Sequence, residues 1–155
     1  MAADPQARER TILAFDFGTR KIGVAVGNTM IRIAHPLATV DAATVSLRQE
    51  AIAQLIAQWQ PATLLVGRPV HADGTPHRMT AASDKFAREL ARHFALPVVR
   101  ADERYSTREA TAALAEVAGT RRETRKAARD AVAAQLILQA WFDRAPRGDD
   151  PNAAA

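Results

Sequence analysis

The stretch from residue 12 to residue 26 constrains the fold of this 155-residue chain more than any other. Two continuous apolar runs flank a short turn that contains Gly18, and such runs are typical of strands that are buried on both faces. The short turn joins the two strands as an antiparallel hairpin. Asp16 falls at the end of the first strand. Since an ionised Asp is rarely buried alone, this carboxyl group needs a cation, a hydrogen-bond donor or a raised pKa.

The apolar pattern predicts the element order β-β-β-α-β-α-β-α-α. The predicted strands cover residues 11–16, 22–27, part of 31–40 (an edge strand, because it contains Pro36), 63–67 and 97–101. The predicted helices cover 45–59, a segment striped by Met79, Phe86, Leu90 and Phe94, a segment opened by the capping box of Ser106 and Glu109, and 130–143. We therefore expect an α/β fold, a mixed five-stranded sheet whose three antiparallel strands come first, with helices on both faces. We expect residues 11–143 to form one domain between two flexible tails, 1–10 and 144–155.

Composition excludes several classes of protein. The chain has no cysteine, which rules out disulfides and cysteine-based zinc sites. No apolar run reaches the about 18 residues of a membrane helix, and the first ten residues lack an apolar signal core, so we expect a cytoplasmic protein that does not contact membranes. The net charge of +4 permits an anionic partner, and residues 119–129 concentrate it with five basic side chains and one acidic side chain.

Three acidic residues stand at the predicted ends of elements: Asp16 after the first strand, Glu103 after the last strand and Asp130 at the start of the last helix. Sites in open α/β sheets form beyond the carboxyl ends of the strands, so Asp16 and Glu103 meet there if the first and last strands are parallel neighbours. Three gathered carboxylates repel one another unless a cation binds them. Oxygen ligands without cysteine suit Mg²⁺ or Mn²⁺, and two such ions about 4 Å apart can promote hydrolysis of a phosphodiester bond.

Each acid also has a purely structural interpretation. Asp16 can cap the turn that follows it. Glu103 can be a surface acid, since Asp102 beside it competes for the same role, and Asp130 can stabilise the positive end of its helix. The basic residues near the predicted site are either phosphate contacts or solvated surface charges. These candidates are Arg20, Lys21, Arg68, His71, Arg104, Arg121, Arg122, Arg125 and Lys126.

The chain resembles the YqgF/RuvX family, whose members are described as pre-16S rRNA nucleases and as Holliday junction resolvase-like. The resemblance runs from about Leu13 to Phe142. It depends on LAFDFGT at 13–19, VGRP at 66–69 with DGT at 73–75, DERYST at 102–107, and residues 130–139. The family pattern has an apolar residue and an asparagine where this chain has Arg68 and His71.

The resemblance implies an RNase H-like fold and a metal-dependent nuclease. It implies that Asp16, Glu103 and Asp130 are the catalytic residues and the ligands of Mg²⁺ or Mn²⁺, and it selects Glu103 over Asp102. It further implies that the protein takes part in maturation of the 5′ end of precursor 16S ribosomal RNA in the bacterial cytoplasm.

Several functions remain open from the sequence. The main hypothesis is an endonuclease that acts on precursor rRNA. The alternatives are a resolvase of branched DNA, in which the same acids would act, and a non-catalytic RNA-binding factor of ribosome assembly, in which only the basic residues would matter. The segment DFGT at 16–19 also resembles the phosphate-binding hairpin of actin-like kinases, but those proteins need two such domains. We expect nucleic acid and ribosomal particles as partners and a monomer or weak homodimer.

Overall fold

A computed structural model gives the structure of residues 10–71, 73–76, 78–103 and 122–144. The strands are β1 (Thr11–Asp16), β2 (Lys21–Asn28), β3 (His35–Asp41), β4 (Thr63–Arg68) and β5 (Val98–Asp102). The helices are α1 (Val45–Trp59), α2 (Arg78–Phe94) and α3 (Arg122–Arg144). None of the described helices is long and apolar enough to span a lipid bilayer.

The five strands form one mixed sheet in the order β3-β2-β1-β4-β5. The first three strands pair antiparallel, whereas β4 pairs in parallel with both β1 and β5. This arrangement confirms the predicted fold class. It also shows that the first and last strands are not neighbours, so the condition under which the sequence brought Asp16 and Glu103 together is not met. The reason is burial, because β4 is buried from Thr63 to Gly67 and fits a central position, while β5 alternates between buried and partly exposed residues as an edge strand does.

Apolar side chains fill both faces of the sheet. Successive residues of β1 point to opposite sides, as the pleat of a strand requires. The cluster that faces α1 and α2 includes Leu13, Phe15, Ile52, Phe86 and Leu90. The cluster that faces α3 includes Ile12, Ala14, Ile137, Leu138 and Phe142. The prediction that β1 is buried on both faces is therefore confirmed.

The edge strand β3 contains Pro36, as predicted, and the pairing of β2 with β3 shifts register between Val24 and Ala25. A proline lacks the N–H that a strand ladder needs, so it is tolerated at an edge or beside such an irregularity. Both conditions are met here.

Helix α3 begins at Arg122, about two turns before Asp130. The prediction that this helix begins at Asp130 was wrong, because residues 122–129 contain no Gly or Pro and consist largely of the good helix formers Arg, Ala and Lys. The far half of α3 is fixed by Gln139. Its Oε1 accepts from the Ala34 N–H at 2.9 Å, and its Nε2 donates to the Arg32 carbonyl at 3.1 Å.

Several predicted features lie outside the described residues. They are the tails before residue 10 and after residue 144, the predicted helix that opens at Ser106 and Glu109, and the positions of Arg104 and Arg121.

Candidate active site

Asp16 and Glu103 lie at the same edge of the sheet, where the parallel strands end. Asp16 is the last residue of β1, and Glu103 directly follows β5. Because β4 separates these strands and neighbouring strands are about 4.8 Å apart, the two backbones are about 10 Å apart. The side chain of Glu103 covers this distance by crossing Gly67 of β4. A Cβ built on Gly67 would lie 2.8 Å from Cδ of Glu103 and 2.8 Å from Cδ1 of Ile137. A side chain at position 67 would therefore block the path to Asp16.

The carboxyl groups of Asp16 and Glu103 form a hydrogen bond with each other. The pKa of Glu103 is raised from 4.5 to about 8. Burial is the largest cause, followed by the charge of Asp16 and by the hydrogen bond with Asp16. Burial also raises the pKa of Asp16 from 3.8 to about 6, although the hydrogen bond with Glu103 lowers it. Because both pKa values are raised, the pair shares a proton near neutral pH.

Asp130 approaches this pair from α3. The helix packs on β2 at Gly23, which is paired with Asp16 in the sheet, and a Cβ built on Gly23 would lie 1.7 Å from the carbonyl oxygen of Asp130. Because Gly23 has no side chain, α3 can lie close to β2 at this point. The charge of Asp130 then contributes to the raised pKa of Asp16.

The acidic pair has the donor chemistry of a divalent-cation site. Two carboxyl groups in contact repel once both are ionised, and a cation bound by their oxygens removes that repulsion. Across the ranges that the structure describes, no group of three or more His, Cys, Asp or Glu side chains is arranged to hold a metal ion. The structure thus brings Asp16 and Glu103 into contact. Asp130 is close enough for its charge to affect Asp16, but the three acids are not arranged as a set of metal ligands.

The basic residues predicted to bind substrate lie in different settings. Arg20 is exposed in the turn between β1 and β2, and Lys21 is exposed as the first residue of β2, with its Nζ 3.7 Å from a carboxylate oxygen of Asp41 in β3. Arg68 contacts Asp84 of α2, with 3.4 Å between Nε and Oδ1. His71 is exposed in the loop after β4. The described part of the structure does not include Arg104 and Arg121, nor the side chains of Arg122, Arg125 and Lys126.

A polar cluster on the other face of this sheet edge was not predicted from the sequence. It is formed by Ser83, Asp84 and Arg100. The side chain of Arg100 is only 26% exposed, and its Nη1 donates to Asp84 at 2.9 Å. One signal was available, because Arg100 is a charged residue within a short apolar strand and Arg is almost never buried unless it is paired.

The sheet order β3-β2-β1-β4-β5, with three antiparallel strands followed by two parallel ones, gives this protein an RNase H-like fold. Its fold is similar to that of RuvC from T. thermophilus in complex with a Holliday junction substrate. That similarity has a TM-score of 0.52, covers 85% of this chain and 93% of RuvC, and comes with 15% sequence identity, so it concerns the fold alone.

The chain belongs to the RuvX family. The family model described as "RuvX: Holliday junction resolvase" matches residues 10–144. A relative from Dechloromonas aromatica is 54% identical over 133 residues, which are 86% of this chain and 90% of the relative. One from Nitrosomonas europaea is 50% identical over 137 residues, which are 88% and 92% of the two chains. Both relatives carry the name "Putative pre-16S rRNA nuclease".

Proposed function

We propose that the protein is a divalent-metal-dependent endonuclease that hydrolyses phosphodiester bonds in the maturation of the 5′ end of precursor 16S rRNA. The observation that carries this proposal is the partly buried, hydrogen-bonded pair of Asp16 and Glu103 at the end of the parallel strands. Burial of two carboxyl groups in contact is unfavourable for folding, which favours a functional reason for their presence. The choice of precursor rRNA follows the names of the relatives.

Asp16, Glu103 and Asp130 are the residues that would hold Mg²⁺ or Mn²⁺. Such an ion, when bound, supplies a water of lowered pKa and stabilises the charge that develops on the leaving oxygen. The two contacting carboxyl groups must both be ionised to act as ligands, so the pair must release the proton that it shares. We assign the catalytic role to these three acids on this basis.

The basic residues singled out from the sequence are proposed to hold the nucleic-acid backbone. Contacts to phosphate position a substrate without reading its sequence, which suits a set of basic side chains. The set comprises Arg20, Lys21, Arg68, His71, Arg104, Arg121, Arg122, Arg125 and Lys126. Arg68 would have to share its guanidinium between substrate phosphate and Asp84, because Nε of Arg68 already lies 3.4 Å from Asp84 Oδ1.

A second candidate is a resolvase that cleaves four-way DNA junctions. The description of the matching family model favours it. The same acids would act on the same bond, so only the substrate separates this function from the first.

A cleavage assay tests the proposal. Purified wild-type protein is compared with Asp16→Asn on precursor 16S rRNA, linear DNA and a four-way DNA junction, with Mg²⁺, with Mn²⁺ and with excess chelator. We expect the wild type to cleave the precursor rRNA only with a metal ion. Asp16→Asn should cleave more than about 100-fold more slowly, beyond the usual cost of changing a residue outside the ligand set, while it folds and binds RNA as the wild type does.

The matched control is Glu50→Gln, which makes the same change from carboxylate to amide at an exposed position of α1. It should cleave at the wild-type rate. Selective cleavage of the junction would favour the resolvase. Equal cleavage by Asp16→Asn and wild type, or full cleavage in chelator, would refute the assigned site. Tight RNA binding without any cleavage would identify a non-catalytic assembly factor.

We also propose a bacterial cytoplasmic location, association with ribosomal particles and a monomer or weak homodimer. Fractionation of cell lysate on a sucrose gradient should find the protein with precursors of the small subunit. Sedimentation of the purified protein at several concentrations measures its oligomeric state. A position only at the top of the gradient would contradict the association with particles.

A further inference from the structure

On the face of the sheet opposite α3, the side chain of Arg100 joins β5, β4 and α2. Its Nε donates to the Val66 carbonyl at 3.2 Å and its Nη2 to the Gly67 carbonyl at 3.3 Å. Its Nη1 donates to Oδ1 of Asp84 at 2.9 Å, and its Nη2 contacts Oγ of Ser83 at 2.5 Å. Arg100 therefore ties the backbone of β4 to the first half of α2.

The carbonyl of Gly67 receives two donors from this side. Ser83 Oγ donates to it at 2.8 Å, in addition to the bond from Arg100. The other side of Gly67 supports the side chain of Glu103, since a Cβ there would lie 2.8 Å from Cδ and 2.9 Å from Cγ of Glu103. A single residue without a side chain thus separates Arg100 and Ser83 from the acid that crosses to Asp16.

Packing alone does not explain an arginine at this position. Val98 of the same strand and on the same face packs with the apolar cluster under α1 and α2. An apolar residue at position 100 would bury a similar volume without the cost of taking a guanidinium group out of water. Arg100 differs from an apolar residue in making directional hydrogen bonds. Its planar guanidinium has several donors and fixes two successive carbonyl groups and a carboxylate at once.

We propose that Arg100 is a positioning residue for Glu103, which it holds against Asp16 by fixing the Gly67 peptide from the opposite face of the sheet. The effect on cleavage depends on the proposed nuclease function. The effect on the position of Glu103 does not. Arg100 itself touches neither substrate nor metal in this assignment.

The test compares Arg100→Met with Arg68→Met. Both variants remove a guanidinium that contacts the same oxygen of Asp84, but only Arg100 donates to Gly67. For Arg100→Met we expect about 10-fold weaker Mn²⁺ binding by calorimetry and a kcat about 10-fold lower, as is typical of changes outside the ligand set, with KM unchanged. Arg68→Met should keep the Mn²⁺ affinity and raise KM, because Arg68 is assigned to a phosphate contact and lies outside the proposed support of Glu103.

A crystal structure of Arg100→Met provides a readout that needs neither metal nor activity. We expect Glu103 to have lost its hydrogen bond to Asp16. Persistence of that bond would overturn the proposal, and so would equal responses of the two methionine variants or a change confined to thermal stability. If the wild type cleaves nothing, the nuclease proposal fails, while Mn²⁺ titration and the crystal structure still decide the role of Arg100.

Ser83→Ala gives a second, milder variant in case Arg100→Met does not fold. It removes the other donor to the Gly67 carbonyl and the contact of Ser83 Oγ with Nη2 of Arg100, but it keeps the bonds from Arg100 to the backbone. We expect the same changes with smaller amplitude. An Asp16–Glu103 bond that is unaltered in the crystal structure of Ser83→Ala, together with wild-type Mn²⁺ affinity, would overturn the proposal.

Discussion

Gly67 marks the point at which Glu103 crosses β4, so Gly67→Ala should separate the two acids. The added Cβ would lie 2.8 Å from both Cδ of Glu103 and Cδ1 of Ile137. We expect cleavage to slow at least about 10-fold and the free energy of unfolding to fall by about 1–3 kcal/mol. Steady-state cleavage and urea denaturation measure the two effects.

The matched control for Gly67→Ala is Gly27→Ala. Gly27 lies at the other end of the sheet, where a Cβ would meet the ring of Phe142 at 2.8 Å and the Ile33 carbonyl at 3.0 Å. This variant should lose stability but cleave at the wild-type rate once folded. Equal losses of rate in both variants would show that Gly67 acts on stability only.

The raised pKa values of the acidic pair predict how stability depends on pH without metal. The folded protein holds protons on Asp16 and Glu103 up to about pH 6 and about pH 8, whereas the unfolded chain releases them near 3.8 and 4.5. Between these limits the folded state binds more protons, so the free energy of unfolding falls as pH rises. Well below pH 4 and well above pH 8 this contribution is constant.

Urea denaturation in chelator from pH 4 to pH 9 measures this slope. Asp16→Asn should flatten it, because the variant cannot ionise at position 16 and no longer repels Glu103. A wild-type stability that increases over the same range would contradict the assigned proton.

The contact between α3 and β2 at Gly23 leads to a prediction about the helix as a whole. In Gly23→Ala the added Cβ would lie 1.7 Å from the Asp130 carbonyl oxygen and 2.4 Å from its carbon. A backbone contact cannot be relieved by rotating a side chain, so α3 must shift. We expect the free energy of unfolding to fall by at least about 3 kcal/mol, which is at the upper end for overpacked sites. Urea denaturation measures this change. Gly27→Ala should lose less, because an aromatic side chain forms most of its contact. A smaller loss in Gly23→Ala than in Gly27→Ala would show that α3 adjusts freely.

Elements with strong local signals could be predicted from the sequence. The bounds of α1 agree with the prediction because Thr44 caps its start, where Oγ1 accepts from the Leu47 N–H at 3.1 Å, and Gln60 adopts a left-handed conformation before Pro61. The start of α3 was misplaced because Asp130 imitates a residue of a first helical turn. The spatial order of β1, β4 and β5 was not predicted because the pairing of parallel strands has no local signal.

The same division holds for the candidate site. Asp16, Glu103 and Asp130 were singled out because acids at the ends of apolar elements are conspicuous, and the family resemblance selected Glu103 over Asp102. The roles of Gly67 and Arg100 could not be predicted, because they depend on β4 lying between the strands that carry Asp16 and Glu103. Contacts across the sheet become visible only when the strand order is known.

For the molecule as a whole, the acidic pair predicts that divalent cations stabilise the folded state. Unfolding separates Asp16 from Glu103 and abolishes any joint site, so a bound ion favours the native protein through mass action. At an ion concentration of about 100 times Kd the gain is about 2.7 kcal/mol, and for a chain of this size that raises Tm by roughly 5–11 °C.

The rise should be larger at pH 8 than at pH 5, because at pH 5 the ion must displace protons from both acids. Scanning calorimetry with MnCl₂ or MgCl₂ measures it, and Glu50→Gln should respond as the wild type does. An equal rise in Asp16→Asn would mean that the ions act elsewhere on the protein, and an unchanged Tm in the wild type would mean that these carboxyl groups hold a proton and no metal.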